Sequence, residues 1–392
     1  MKTLKYISTL AGLLFAIISC TGGISKQQVN EGDFKNLFYY NNGFKLSGKF
    51  LERTSADTAL QSSRHIRQLL FDQQGYLWYG TYLLGFGVYD GEKQFQFETP
   101  GGTNGNIVRK LAEDQQGDVW MATNFGLLRY DHTQPADLPD SYKRYTTAEG
   151  LPSNQIWSLC NDEKGGIWVG TENGLLHYDG THFHTYQLTG NSDYKPAEAY
   201  ATPDAIMALH LDRNGKLWIG TNGRGVFTFE PENPAAGFQR YTTQQGLCDN
   251  TVLCIISDKA GIIWVGTREG GISKYDGAKF TNYNVTNGLS SNFIWTICED
   301  RFGQIWMGTA GAGALCFNGE TFTLFNEQDG LSNNYVQSII EDKNGNIWFG
   351  TGMGITRYNG NHLMDTNTIR SKTTNEANQQ HMQSFPEPMD GC

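Results

Sequence analysis

The chain has 392 residues, with 30 Lys and Arg against 40 Asp and Glu and a formal net charge of −10. That balance leaves no basic footprint for nucleic acid, and 13% aromatic residues are too many for a disordered chain. With 47 Gly, 19 Tyr and 9 Trp beside only 18% charged residues, the composition favours β structure with many tight turns, as two ordinary domains or one large one.

Residues 1–19 read as a secretion signal. Lys2 and Lys5 form a positive start, and the apolar run from Leu10 to Ile18 is short for a membrane span. The sequence Ile17-Ile18-Ser19-Cys20 resembles a bacterial lipoprotein cleavage box, which would make Cys20 the lipidated first residue of the mature chain. Several acyl chains anchor stably where one is marginal. Residues 20–33 are polar and read as a tether. The other cysteines are Cys160, Cys248, Cys254, Cys298, Cys316 and Cys392. Three of them fall in one recurrent strand, and none shows metal-ligand spacing, so burial as small apolar groups is the expectation and disulfides the lesser alternative.

From there on the chain is one unit repeated. The pattern Asp-x-x-Gly-x-(apolar)-Trp-x-(Gly/Ala)-Thr occurs seven times, centred on Trp78, Trp120, Trp168, Trp218, Trp264, Trp306 and Trp348, at intervals of 42–50 residues. Asp precedes each Trp by six residues and can bond the backbone of its own turn, while Gly tolerates positive φ. Around this turn lie a first apolar strand, as at Ile156–Asp162, and the Trp strand. A third strand such as Gly271–Asp276 follows, then a fourth carrying Phe-x-x-Tyr, as at Phe280–Tyr283. Four antiparallel strands per repeat with aromatics at fixed places describe a blade. The fold class is therefore all-β: a seven-bladed β-propeller of four-stranded antiparallel blades over residues 34–364. The last copy lacks a clear fourth strand, and Phe44–Phe50 precedes the first copy. An N-terminal strand completing the last blade is the expected closure. Residues 365–392 are polar and are expected to be a disordered tail.

The full unit, with Gly-Leu, Tyr-Asp, Phe-x-x-Tyr and a Gly-Leu-x-x-Asn linker, resembles the two-component regulator propeller repeat over about residues 44–363. That family supplies periplasmic sensor propellers of bacterial hybrid sensor kinases, many tied to polysaccharide use. The resemblance implies a ligand-sensing or interaction propeller at the cell envelope, facing the periplasm or the cell surface. A free-standing, lipid-anchored relative is expected here, in place of the family's larger kinase-bearing members.

Positions uniform across the copies serve folding, so binding is sought where copies differ. The residue five before each Asp varies widely: Arg67, Arg109, Trp157, Met207, Leu253, Trp295 and Gln337. The turns between second and third strands add Asn124, Glu172, Arg224, Arg268 and Glu269. Both sets are expected at one mouth of the central channel. Trp157 and Trp295 are suited to stacking on a sugar or other planar ring, and Arg67 and Arg109 to forking onto a carboxylate or phosphate. The bland alternative is interblade packing for the tryptophans and a solvated rim for the arginines. Residues 187–205 form a longer connection that is expected to make a lip over the same mouth.

Chemical signatures are weak. Gly308–Gly313 opens no helix, and Asp342–Asn346 lacks a calcium loop's spacing. His177, His182 and His184 read as strand histidines rather than a metal site. No cofactor and no catalytic set is expected. The partner is expected to be a small molecule, an oligosaccharide or an envelope protein. The alternative is a lyase or glycoside hydrolase on the same mouth, since Glu172 and Glu269 could meet there.

Overall fold

The structure, a computed structural model, describes residues 65–89, 94–99, 107–134, 141–162, 164–188, 201–360 and 363–365. In its first turn the Gly75 N–H donates to the Asp72 carbonyl at 2.9 Å, and the Asp72 carboxylate accepts the Tyr76 N–H at 2.8 Å. Gly75 sits at a φ of 91°, which a side chain would strain. The second carboxylate oxygen of Asp72 accepts the indole N–H of Trp78 at 2.7 Å. The same bond recurs from Trp120 at 2.8 Å and from Trp218, Trp264, Trp306 and Trp348 at 2.9 Å. Blade 3 departs from the rule: His177 engages Asp162, and its ring lies 4.4 Å from that of Trp168.

Seven four-stranded antiparallel sheets result. They span residues 66–97, 108–145, 156–186, 206–241, 252–283, 294–325 and 336–365 and are numbered here as blades 1 to 7. Each repeated Trp is 5% exposed or less and packs into the following blade. Trp78 meets Val108 and Leu111 of blade 2, Trp218 meets Val252 and Ile255 of blade 5, and Trp348 meets Ile66 and Leu69 of blade 1. The Gly two residues after the Trp makes this approach close. A Cβ added at Gly220 would come within 2.5 Å of Val252, and one at Gly350 within 2.8 Å of Ile66.

The last of these contacts closes the ring, as does the Leu69 N–H bonded to Ser338 Oγ at 2.9 Å. The outer strand of blade 7 is Leu363–Asp365, paired with Gly354–Tyr358. The N-terminal strand expected in that position, Phe44–Phe50, lies outside the described residues. So do the signal segment, Cys20, the tether, Cys392 and the tail beyond Asp365. Among the described residues no helix is long and apolar enough to cross a membrane.

The Gly-Leu-x-x-Asn linkers also have a structural cause. In blade 2 the Thr146 hydroxyl and Glu149 carboxylate cap a single 3-10 turn, Gly150 ends it at a φ of 98°, and Leu151 is buried. Asn154 then folds the linker back by accepting the Thr147 N–H at 2.8 Å, as Asn250, Asn292 and Asn334 do in their copies.

Candidate site at the channel mouth

The inner strands of the blades ring the central axis, each beside the next, and the seventh returns to the first. Each carries one β-bulge near its start. In blade 1 Ile66 pairs with Thr81 and Gln68 with Gly80, which leaves Arg67 as the extra residue. The same shift leaves Arg109, Trp157, Met207, Leu253, Trp295 and Gln337 as extra residues in blades 2 to 7. A bulge breaks strict alternation and re-aims a side chain. All seven bulge residues line one cavity of about 120 Å³ in the channel. The following residue lines it too in six blades: Gln68, Lys110, Ser158, Ala208, Cys254 and Thr296. In a regular strand two consecutive side chains would face opposite sides.

The turns between second and third strands lie on the same face. The backbone N–H after the repeated Thr bonds the residue entering the inner strand, as from Glu172 to Gln155 at 3.0 Å and from Arg268 to Thr251 at 3.0 Å. Sequence-predicted residues from both sets therefore meet at this mouth, which divides into two unlike arcs.

On blades 2 to 4 the groups are bound to one another. The Arg109 guanidinium sits 4.0 Å from the Trp157 ring centre and donates to the carbonyls of Thr123 and Ile156 and to Gln155 Oε1. The Trp157 indole N–H donates to Glu172 Oε2 at 2.8 Å, and Glu172 Oε1 accepts the Thr202 N–H at 2.7 Å. Arg224 is 4% exposed and pairs with Asp204 at 2.6 Å. Asn124 accepts the Ile107 N–H. The described end of the long connection supplies Ala201 and Ala205, which bury Trp157 together with Met207. The expected lip is thus seen in part, packed on Trp157; residues 189–200 lie outside the described residues.

On blades 6, 7 and 1 the surface is aromatic. Trp295 is half-buried, 4.7 Å from Phe293 and 6.0 Å from Tyr335 by ring centres. His65 stacks on Tyr82 at 5.4 Å and meets Tyr335 edge-on at 5.6 Å. Arg67 lies over Tyr82 at 5.6 Å, and Arg268 over Phe293 at 5.9 Å. The indole N–H of Trp295 is buried and lacks a hydrogen-bond partner among the described residues, while the Gln337 side chain engages the His65 ring. Burial, together with the Arg67 charge, pushes the His65 pKa down to about 4. Leu83 and Met353 stand exposed on the turns of blades 1 and 7. Glu269 is exposed in blade 5, and its N–H is bonded to Asp249.

Sequence reasoning missed Lys110, His65, Phe293 and Tyr335. Lys110 was within reach of the same internal comparison, because the position four before the Asp also varies in kind. The strand histidines are engaged singly: His177 with Asp162 and His184 with Asp179. The one group of metal-ligand type among the described residues, Asp118, Asp131 and His132, lies elsewhere, and Arg129 pairs with Asp118 at 2.8 Å. Cys160, Cys248, Cys254, Cys298 and Cys316 are free, and burial pushes the pKa of Cys254 up to about 12.

Segments 101–125, 150–173, 202–223, 246–269, 288–311 and 330–353 match the two-component regulator propeller repeat. The chain carries this repeat through six blades and belongs to the family that the repeat defines. A comparison with curated proteins finds no match. Among solved structures, the chain is similar to the extracellular domain of a hybrid two-component system from B. thetaiotaomicron, at 23% identity and a TM-score of 0.65. The match covers 80% of this chain and 41% of that one, so the chain spans less than half of that relative. A streptogramin B lyase is similar at 14% identity and a TM-score of 0.61, covering 81% of this chain and 97% of the lyase. A virginiamycin B lyase from Staphylococcus aureus, solved with quinupristin, is similar at 14% identity and a TM-score of 0.59, covering 78% and 96%. At these identities the likeness establishes the fold.

Proposed function

We propose that the chain is a propeller held at the bacterial cell envelope by lipid on Cys20, and that it binds a ligand at the channel mouth as a non-catalytic sensing or interaction module. The ligand rests on the aromatic arc of blades 6, 7 and 1. One observation carries this reading: Trp295 stands on a bulge at the mouth with a buried indole N–H that has no partner among the described residues. Buried polar groups are ordinarily satisfied, and binding sites are where exceptions gather. An aromatic face with a few convergent polar groups suits a sugar ring. The repeat family and the extracellular relative support the envelope setting.

The test is a screen of the purified chain against oligosaccharides by thermal shift, with product analysis of every hit. A stabilising ligand that is recovered intact supports the reading. Turnover of a hit would replace it with a lyase or hydrolase at the same mouth. A pull-down that recovers a specific envelope protein, with no small ligand found, would turn it toward a protein-binding platform. Radiolabelled palmitate tests the anchor, which fails if Cys20→Ser does not abolish incorporation.

A further inference from the structure

The channel carries an unbalanced charge at and next to the ring of bulge residues. Its described lining contributes three cationic side chains, Arg67, Arg109 and Lys110, and no Asp or Glu, in a chain with 40 carboxylates against 30 Lys and Arg. Lys110 is the deepest in sequence terms, one residue past the bulge. Its Nζ donates to Gln68 Oε1 at 3.2 Å. The other walls at that level are Ser158, Ala208, Cys254 and Thr296, all neutral. Burial pulls the lysine pKa below its usual value, with the Cys254 and Cys160 thiols opposing. Among the described residues an amide is the one hydrogen-bond partner of this partly buried ammonium, and the other charges of the lining are cationic, so the ammonium is costly to hold. A bound anion would relieve that cost, and it would gain charge-assisted hydrogen bonds in a site shielded from bulk water. The cavity of about 120 Å³ has room for such a group together with water.

We infer that the channel holds an oxyanion site at Lys110, which takes the carboxylate or sulfate of a ligand whose body lies at the mouth against Trp295. The inference rests on the mouth reading above and narrows its ligand from sugars in general to acidic ones. Gln68 orients the ammonium, and Arg67 and Arg109 add a positive field at the entrance.

The test titrates the full chain with sodium glucuronate, sodium sulfate and neutral glucose at matched ionic strength. It follows the Trp295 indole N–H resonance by NMR and the heat of binding by calorimetry. Glucuronate is expected to bind and shift the indole signal, glucose to bind at least tenfold more weakly, and Lys110→Met to weaken glucuronate by about tenfold or more. Lys110→Met is expected to keep or raise the melting temperature, since it removes a buried charge. If that variant does not fold, Lys110→Gln gives the same reading. Equal binding of glucuronate and glucose, unaffected by the Lys110 variants, would overturn the oxyanion site and leave the mouth reading standing. No response to either acidic probe at millimolar concentration would also overturn it, and the oligosaccharide screen would then judge the mouth alone.

Discussion

Trp157 and Trp295 occupy one position of one repeat, three blades apart, and their surroundings are opposite. Trp157 is 6% exposed, its indole N–H is held by Glu172 at 2.8 Å, and a guanidinium lies on its ring. Trp295 is half-buried among Phe293 and Tyr335, and its N–H has no partner among the described residues. The bulge gives both side chains the same aim, and the neighbours decide what each is for. The long connection from blade 3 to blade 4 brings Ala201, Thr202, Asp204 and Ala205 onto the first arc. Blades 6 and 7 are joined by a short linker, and nothing among the described residues performs that service for Trp295.

The contrast can be broken first by stability. Trp157→Ala should cost about 3–5 kcal/mol, the range for deleting a buried aromatic, whereas Trp295→Ala should cost less than half as much. Chemical denaturation of the two variants measures the difference; equal costs would erase the contrast. Next in size is the carboxylate. Glu172→Ala strands a buried indole N–H and the Thr202 N–H and should cost about 1–3 kcal/mol. Glu269→Ala, at an exposed position, should lie within about 0.5 kcal/mol of the parent chain.

Acid sharpens the comparison from the other arc. His65, and away from that arc His210 on the inner strand of blade 4, are held down to about 4, mainly by burial, against an ordinary value of 6.5. Unfolding then takes up protons between those values, so both groups favour the fold above pH 6.5, and that contribution is lost as pH falls from 6.5 to 4. Melting temperature should decline through this window, and His65→Gln should flatten the decline. An unchanged slope would show that His65 titrates normally. A further effect is confined to blade 3. His177→Phe removes the Asp162 partner that replaces the usual indole bond, and should cost about 1 kcal/mol unless Trp168 recovers the carboxylate.

The repeated face of the molecule was legible in sequence for a physical reason. A Trp that must reach its own turn Asp and the next blade admits few substitutes, so its period survives in every copy. The fourth strand of blade 7 was not legible, because Leu363–Asp365 carries no aromatic pair to mark it. At the site, the seven bulge positions could be read from a place in the repeat where uniformity fails. Lys110 sits at a second position that varies between copies, but period-2 alternation would place it on the far side of the strand from Arg109. Only the bulge, invisible in a pattern of residue types, turns both into the channel. The engagement of Arg109 with Trp157, of Trp157 with Glu172 and of Arg224 with Asp204 was likewise hidden, for it joins residues 15 to 48 positions apart.

The aromatic arc, and Trp295 within it, is proposed as the binding face. The most direct measurement is the affinity of one confirmed ligand for folded Trp295→Ala and folded Trp157→Phe, side by side with the parent chain. A loss of about tenfold or more is expected for Trp295→Ala and near-parent affinity for Trp157→Phe. Full affinity in Trp295→Ala, with the loss in Trp157→Phe instead, would contradict it.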